Sequence, residues 1–132
     1  MHVVVDTSVI LAVLLGEPER NKLISLTQNC DLLAPHSLHW EIGNAFSAMF
    51  KRGRISLKAA QSALKNYLKI PVRLCEIDLL KALEIAKNSN IYAYDAYMIE
   101  CARNFKAPLL TLDSLLKENA RKYKVSVMEV EI

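Results

Sequence analysis

The fold is decided by residues 1–10, MHVVVDTSVI, in which one apolar run ends at an acidic residue and a second begins. Residues 3–5 are three valines, and a β-branched run without a polar member favours a strand buried on both faces. Asp6 follows directly, and Thr7 or Ser8 is then expected to be the N-cap of a helix. Asp6 is therefore expected at the carboxyl end of a parallel strand, where open α/β sheets bind ligands. A carboxylate here is equally typical of a turn, so its meaning depends on which other acids reach the same edge.

Length and composition predict a single domain over residues 1–132. The chain is 52% hydrophobic, but its longest apolar run, residues 9–15, is far too short to cross a membrane. The N-terminal end lacks the basic start and cleavage site of a signal peptide, and the three cysteines are scattered without a CxxC pair. We therefore expect a cytoplasmic protein with reduced thiols and no membrane contact.

Predicted strands and helices alternate along the chain. Further strands are predicted over residues 32–34, 70–75, 109–112 and 125–132. Pro71 places the predicted strand over residues 70–75 near a sheet edge. Helices are predicted over residues 9–15, 19–29, 37–52, 78–88 and 114–122, with two more beginning at Ser56 and Asp95. This order predicts a three-layer α/β/α sandwich with a mostly parallel central sheet. With three glycines in all, the sequence contains no glycine-rich phosphate loop.

Four acidic residues stand where this topology brings them to one edge. Asp6 and Asp113 each follow a buried strand, Asp95 begins the helix before the second of these strands, and Glu41 lies beside the apolar stripe of its helix. Two carboxylates about 4 Å apart repel by about 4 kcal/mol at an effective dielectric near 20, so such a cluster needs a cation. Oxygen ligands favour Mg²⁺, with Mn²⁺ possible, and both ions serve phosphate chemistry.

The surroundings of these acids resemble the PIN-domain family, in particular the VapC-like toxin ribonucleases of type II toxin–antitoxin systems. The matching segments are VDTS, WEIGNAF, YDAYMIECA and LLTLD, in an order and spacing that span nearly the whole chain. The resemblance implies a Mg²⁺- or Mn²⁺-dependent endoribonuclease whose catalytic and metal-binding residues are Asp6, Glu41, Asp95 and Asp113. By the same resemblance, a water activated at the metal site would attack an RNA phosphodiester and leave a 5′-phosphate and a 3′-hydroxyl.

The same resemblance implies supporting residues and partners. Thr7, Ser8 and Thr111 would be supporting polar groups. Asn44, one helical turn after Glu41, is a candidate to orient a ligand water, or simply a polar residue at a helix edge. An antitoxin protein and a second copy of the chain are the expected partners, beside the RNA substrate.

Basic residues are concentrated in one part of the chain. Residues 42–75 contain no Asp or Glu and carry a charge of +7, whereas the remainder has ten basic and fourteen acidic residues. This distribution suggests a polyanionic partner held next to a cation site. Lys51, Arg52 and Arg54 are the candidates to bind RNA phosphates. An acidic protein partner or a solvated helical face would account for the same charges.

Two other functions stay open at this point. A catalytically weak PIN-like module that binds RNA or a partner would be favoured by loss of an acid, and all four acids are present. A phospho-acceptor signalling domain needs an adjacent acidic pair after the first strand, which Asp6-Thr7 does not supply.

Several other residues are candidates of lower rank. His36 and His39 could form part of a zinc site near Glu41. Four aromatic residues could stack on bases, although aromatic residues at helical spacing more often pack in a core: Trp40, Phe46, Phe50 and Tyr67.

Overall fold

A parallel sheet of four strands forms the centre of the protein. The structure is a computed structural model and describes residues 1–131. Its strands are β1 His2–Val5, β2 Asp31–Pro35, β3 Val72–Cys75 and β4 Leu109–Leu110, in the spatial order β3-β2-β1-β4. The three valines of β1 are almost completely buried, as expected for a strand with a neighbour on each side and helices above and below.

Seven helices are described, and they form two layers. They are α1 Thr7–Leu14, α2 Arg20–Thr27, α3 Ser37–Lys51, α4 Leu57–Tyr67, α5 Leu79–Ser89, α6 Ala93–Phe105 and α7 Ser114–Lys122. Helices α2, α3 and α4 each contact α1, whereas α5 and α7 contact α6. The predicted three-layer α/β/α architecture is therefore confirmed. Within residues 1–131, no helix has the length and apolar character needed to cross a membrane.

Two strands are shorter than predicted. β3 begins at Val72 and lies at the sheet edge, as expected from Pro71, which has no N–H to contribute to a ladder. β4 ends at Leu110, because the backbone N–H of Leu112 donates to the side chain of Ser8 (3.0 Å). The chain thus leaves the sheet where it joins the end of β1.

The predicted last strand over residues 125–132 is wrong for most of its length. Only Val127 forms a bridge, parallel to Leu109, whose backbone N–H donates to the Ser126 carbonyl (2.8 Å) and whose carbonyl accepts from Met128 (3.0 Å). β4 has only two residues, so it offers little backbone for a longer ladder. Residue 132 lies outside the described part of the chain.

The buried leucine in the centre of the sheet gives a test of the fold. Leu33→Ala should lower the free energy of unfolding by about 2–5 kcal/mol, because Leu33 is 1% exposed and its truncation leaves a cavity. Leu80→Ala removes the same atoms from a side chain that is 79% exposed, and should change the free energy of unfolding by no more than about 0.5 kcal/mol. Urea unfolding of both variants without metal measures the difference, and equal effects would contradict the described core.

Candidate active site

The carboxyl ends of β1 and β4 lie side by side and carry two of the four acids. Val5 pairs with Leu110, and the backbone N–H of Asp6 donates to the Leu110 carbonyl (3.3 Å). Asp6 therefore begins the connection that leaves β1, while Asp113 ends the short connection between β4 and α7. Parallel neighbouring strands end at the same edge, so both residues belong to one edge of the sheet.

Asp6 is buried and is held by three hydrogen bonds. Its Oδ1 accepts from Ser8 Oγ (2.6 Å) and from the backbone N–H of Val9 (3.3 Å), and its Oδ2 accepts from Thr111 Oγ1 (2.6 Å). Burial raises the pKa of Asp6, the hydrogen bonds oppose this rise, and the charge of Asp113 adds to it. A carboxylate has about four acceptor positions, so three donors leave Asp6 able to accept from one further group.

The N-cap prediction for α1 is corrected by this arrangement. Asp6, rather than Thr7 or Ser8, caps the helix, which begins at Thr7. Ser8 is unable to cap because it lies within the first turn and its hydroxyl donates to Asp6. Asp6 therefore has the capping role that the sequence left open as an alternative, and it also lies at the edge where a ligand site is predicted.

Two hydroxyl groups join the ends of β1 and β4 around Asp6. Ser8 Oγ accepts from the backbone N–H of Leu112 (3.0 Å), and Thr111 Oγ1 accepts from that of Asp113 (3.0 Å). Each hydroxyl donates its single proton to Asp6, so the 3.4 Å contact between the two oxygens is a packing contact. Thr111 is completely buried, which fixes this connection in place.

Asp113 is exposed and caps the last helix. Its Oδ1 accepts from the backbone N–H groups of Leu115 (2.9 Å) and Leu116 (3.1 Å) at the start of α7. This use of one carboxylate oxygen fixes the side chain near the edge of the sheet. Oδ2 has no hydrogen-bond partner among residues 1–131 and is free to bind another group.

Glu41 reaches the same edge from α3. Its Oε2 accepts from Ser37 Oγ (3.1 Å), one helical turn earlier. Burial raises the pKa of Glu41 to about 7; the charges of Asp6 and Asp95 contribute to this rise, whereas Ser37 and Thr7 oppose it. Thr7 Oγ1 is buried and makes no hydrogen bond of normal geometry within residues 1–131, although it lies close enough to favour the charged form of Glu41.

Asp95 completes the group from the first turn of α6. Burial raises the pKa of Asp95, and the charges of Asp113 and Asp6 raise it further. Each of the four predicted acids is therefore within electrostatic reach of at least two of the others. Yet within residues 1–131 no three Asp, Glu, His or Cys side chains are close enough to hold a metal ion in their present positions.

The donor set nevertheless fits a hard divalent cation. All four groups are carboxylates, and mutual repulsion is the cost that a cation would remove. The unpartnered hydroxyl of Thr7 offers a further oxygen that a metal-bound water would satisfy. Because the carboxylates stand apart, binding would require side chains at the edge to move closer.

Sequence reasoning missed Ser37, the hydrogen-bond partner of Glu41. The signal is the spacing Ser-x-x-x-Glu, which places the two side chains on adjacent turns of one helix face. The suggested zinc site at His36 and His39 is not formed among residues 1–131. His39 Nδ1 instead pairs with the Tyr67 hydroxyl at 2.7 Å.

The remaining predicted residues lie on the outside of α3 or directly after it. Asn44 is exposed, one turn after Glu41. Lys51 is the last residue of the helix, about 15 Å along its axis from Glu41, and Arg52 and Arg54 follow it; all three are exposed. Within residues 1–131 none of these three cations forms an ion pair, since the described ion pairs involve other residues.

The comparison with protein families decides the affiliation. A family model described as PIN domain matches residues 3–122, a segment that contains all four acids. The chain belongs to the PIN-domain family. No curated protein sequence matches it at a significant level.

Solved structures share this PIN fold. PAE2754 from Pyrobaculum aerophilum has a TM-score of 0.71 at 26% identity, over 90% of this chain and 79% of that one. VapBC2 from Rickettsia felis, bound to a DNA fragment from its promoter, has a TM-score of 0.72 at 14% identity, over 99% and 100% of the two chains. VapC20 from Mycobacterium tuberculosis, a sarcin–ricin loop cleaving toxin, has a TM-score of 0.61 at 15% identity, over 88% and 93%. At such identities, the likeness to the last two establishes the fold alone.

The raised pKa of Glu41 in this PIN domain predicts a pH-dependent stability without metal. The pKa of Glu41 is about 7 in the folded protein and 4.5 in its ordinary, unburied state, so the folded state binds the proton more tightly. The free energy of unfolding should therefore fall as the pH rises from about 4.5 to about 7. Glu41→Gln should remove this fall in the free energy of unfolding, which amounts to about 1–2 kcal/mol after allowance for solvent screening.

Urea unfolding in chelator at pH 5 and pH 8 measures the effect. Gln retains an oxygen that accepts from Ser37, so the local hydrogen bond is preserved. Glu84→Gln, an equivalent change at an exposed position of α5, is the matched control and should leave the wild-type pH dependence intact. A wild-type pH dependence in Glu41→Gln would show that Glu41 is not the responsible group.

Proposed function

We propose that the protein is a metal-dependent endoribonuclease and the toxin of a VapBC-like pair. The observation that carries this proposal is the position of Asp6, Glu41, Asp95 and Asp113 at the carboxyl edge of a PIN-domain sheet, where each carboxylate is within electrostatic reach of at least two others. Four acids on one edge destabilise a protein unless a cation, and hence a function, compensates for their repulsion. The similar fold of VapC20, described as a toxin that cleaves the sarcin–ricin loop, supports the same reaction class.

The four carboxylates would hold Mg²⁺ or Mn²⁺. Such an ion, when bound, orients a phosphate, lowers the pKa of a bound water and stabilises the leaving oxygen. The chain itself supplies orientation: Ser8 and Thr111 fix both oxygens of Asp6. Glu41 must release its proton before it can bind a cation, so metal affinity should rise with pH through neutrality.

The RNA would extend from the acidic edge toward the basic end of α3. Carboxylates repel phosphates, so RNA binding requires cations outside the catalytic group. Lys51, Arg52 and Arg54 are exposed and without an ion-pair partner among residues 1–131, as a phosphate contact requires. Binding by such residues proceeds through counterion release and weakens steeply with salt.

An antitoxin is the protein partner that we propose. The chain overlaps over nearly its full length with one chain of the structure named VapBC2, which is described as bound to a DNA fragment from its promoter. A reading frame for a short DNA-binding protein beside the gene would support this assignment. The homodimer and the cytoplasmic location remain predictions.

Cleavage of RNA should require a divalent ion and the four acids. Asp6→Asn and Asp95→Asn should each lower the rate by at least about 100-fold, since even outer-shell partners of a bound metal are worth about 10–100-fold. The assay is cleavage of a single-stranded RNA with Mg²⁺, with Mn²⁺ and with chelator. Asp31→Asn, at the opposite end of the sheet, is the matched control and should cleave at the wild-type rate.

Thermal unfolding with and without Mn²⁺ separates a lost metal site from a lost fold. Wild type should be stabilised by the ion through mass action, and Asp6→Asn less so. Asp95→Asn should be no less stable than wild type in chelator, because it removes a repelling charge. Asp6→Asn also removes one of the two oxygens that accept hydroxyl protons from Ser8 and Thr111, so it should lose some stability. Wild-type cleavage in both variants would exclude this centre, and absence of cleavage with every metal would leave a binding module.

The basic residues should determine RNA affinity and its salt dependence. A Lys51→Glu, Arg52→Glu, Arg54→Glu triple variant should bind RNA more weakly and with a shallower slope of log affinity against log salt. Metal stabilisation should be retained, since the changes lie about 15 Å from Glu41. Fluorescence anisotropy with labelled RNA at several salt concentrations gives both quantities.

The same change of charge elsewhere is the control. Lys22→Glu, Lys87→Glu, Lys124→Glu places three acids on separate elements and should have a smaller effect on the slope. Equal slopes in the two triple variants would mean that net charge alone acts. A wild-type affinity in the Lys51 variant would favour an acidic protein partner for this surface.

A further inference from the structure

Trp40 is exposed beside one of the catalytic acids. It directly precedes Glu41 on α3 and is 72% exposed, although packing is the more common role of an aromatic residue at helical spacing. Phe46, on the same helix, does pack in the core and is 2% exposed. Trp40 is also the single tryptophan of the chain. Packing in the core therefore does not explain why a tryptophan stands at position 40.

The ring of Trp40 is braced at one edge while it remains exposed to solvent. His39 contacts it in an edge-on arrangement, with ring centroids 6.1 Å apart and an angle of 66° between the planes. His39 is fixed in turn by its hydrogen bond to Tyr67 (2.7 Å), which is buried on α4. An aromatic ring that is held in this way loses little conformational freedom when a flat ligand stacks on it.

The residues that share the Trp40 side of α3 are polar. Positions four, seven and eleven residues later place Asn44, Ser47 and Lys51 along one face of the helix, and all three are exposed. The core of a protein–protein interface is apolar and depleted of charge, so this face does not have that composition. Of the seven exposed leucines among residues 1–131, three lie on α5 and none lies on α3. An aromatic ring in line with a lysine is instead typical of surfaces that bind single-stranded nucleic acid.

We propose that Trp40 is a stacking site for an unpaired nucleobase of the RNA. This inference rests on the proposed function and adds the substrate class, because bases within a duplex have no free face to stack on a protein side chain. Trp40 and Glu41 are consecutive residues of α3, so a nucleotide stacked on Trp40 would lie within a few nucleotides of the cleaved bond, although the two side chains point in different directions around the helix. The following phosphates then extend along α3 toward Lys51.

The emission of Trp40 tests the contact without interference from another tryptophan. Wild-type protein in chelator, which prevents metal-dependent cleavage, is titrated with a single-stranded RNA of about ten nucleotides, with an abasic strand of equal length and charge, and with duplex RNA. A stacked base should quench the emission, so single-stranded RNA should quench it, and the abasic and duplex strands should not. Equal quenching by the abasic strand would overturn the proposal, since phosphates alone would suffice.

Variants test the energetic role of the ring. Trp40→Ala should weaken the binding of single-stranded RNA about 5- to 100-fold, the range that base stacking gives on alanine substitution. Trp40→Phe, which retains a flat aromatic face, should recover most of the affinity. Leu80→Ala, which truncates an equally exposed apolar residue on α5, should not change it. Wild-type affinity in Trp40→Ala would overturn the proposal.

A second copy of the chain is the competing occupant of this face. If dilution of the protein without RNA changes the emission of Trp40, the ring is covered by another copy and the proposal is wrong. If single-stranded RNA quenches the emission but the wild-type protein cleaves no RNA with Mg²⁺ or Mn²⁺, the proposed enzyme is refuted and the stacking site is retained. If the protein cleaves RNA without such quenching, the stacking site is refuted and the proposed enzyme is retained.

Discussion

The buried carboxylate of Asp6 is the constraint on which the edge of the sheet depends. It accepts hydrogen bonds from hydroxyl groups that come from both sides, Ser8 after β1 and Thr111 after β4, and it caps α1 through Val9. Hydrogen bonds to a charged group contribute about 1.5–3 kcal/mol each, which offsets the cost of burying the charge. Removal of this carboxylate would leave the hydroxyls of Ser8 and Thr111 without their acceptor, and only backbone hydrogen bonds and the bond from the Leu112 N–H to Ser8 would then join the ends of the two strands.

The acids around Asp6 are kept at a cost to the metal-free protein. The raised pKa values of Asp6, Glu41 and Asp95 mean that the folded state disfavours their charges. Natural proteins tolerate such local destabilisation mainly where activity requires it. The surrounding structure compensates through the well-buried β1 and through the connection between Thr111 and Asp113.

The sequence predicted the layers of this fold because its strands are marked by unambiguous patterns. An uninterrupted apolar run such as residues 3–5 requires cover on both faces, and strands separated by helices then run parallel. The C-terminal segment was predicted wrongly, because alternation of apolar and polar residues does not reveal that the partner strand has only two residues. Pairing depends on the neighbour as much as on the segment itself.

The sequence predicts which acids come to this edge of the sheet, but not their local contacts, and their role as a site stays a prediction. The four acids follow from strand ends and from an acidic residue beside an apolar stripe. The capping role of Asp6 and the support of Glu41 by Ser37 depend on side-chain directions that spacing alone leaves open. The exposure of Trp40 depends on which side of α3 the rest of the protein covers, and that is a property of the packed structure.

Helix α3 also fixes the distance between the acidic edge and the basic residues at its end. Glu41 and Lys51 belong to one rigid element, so their separation is fixed by the helical rise of 1.5 Å per residue and does not change with loop motion. One residue inserted between them would turn Lys51 by about 100° around the axis, away from the side of Asn44, whereas four residues would nearly restore its direction one turn farther away. The number of residues in this helix therefore sets the distance between the acidic edge and the phosphate contact proposed for Lys51.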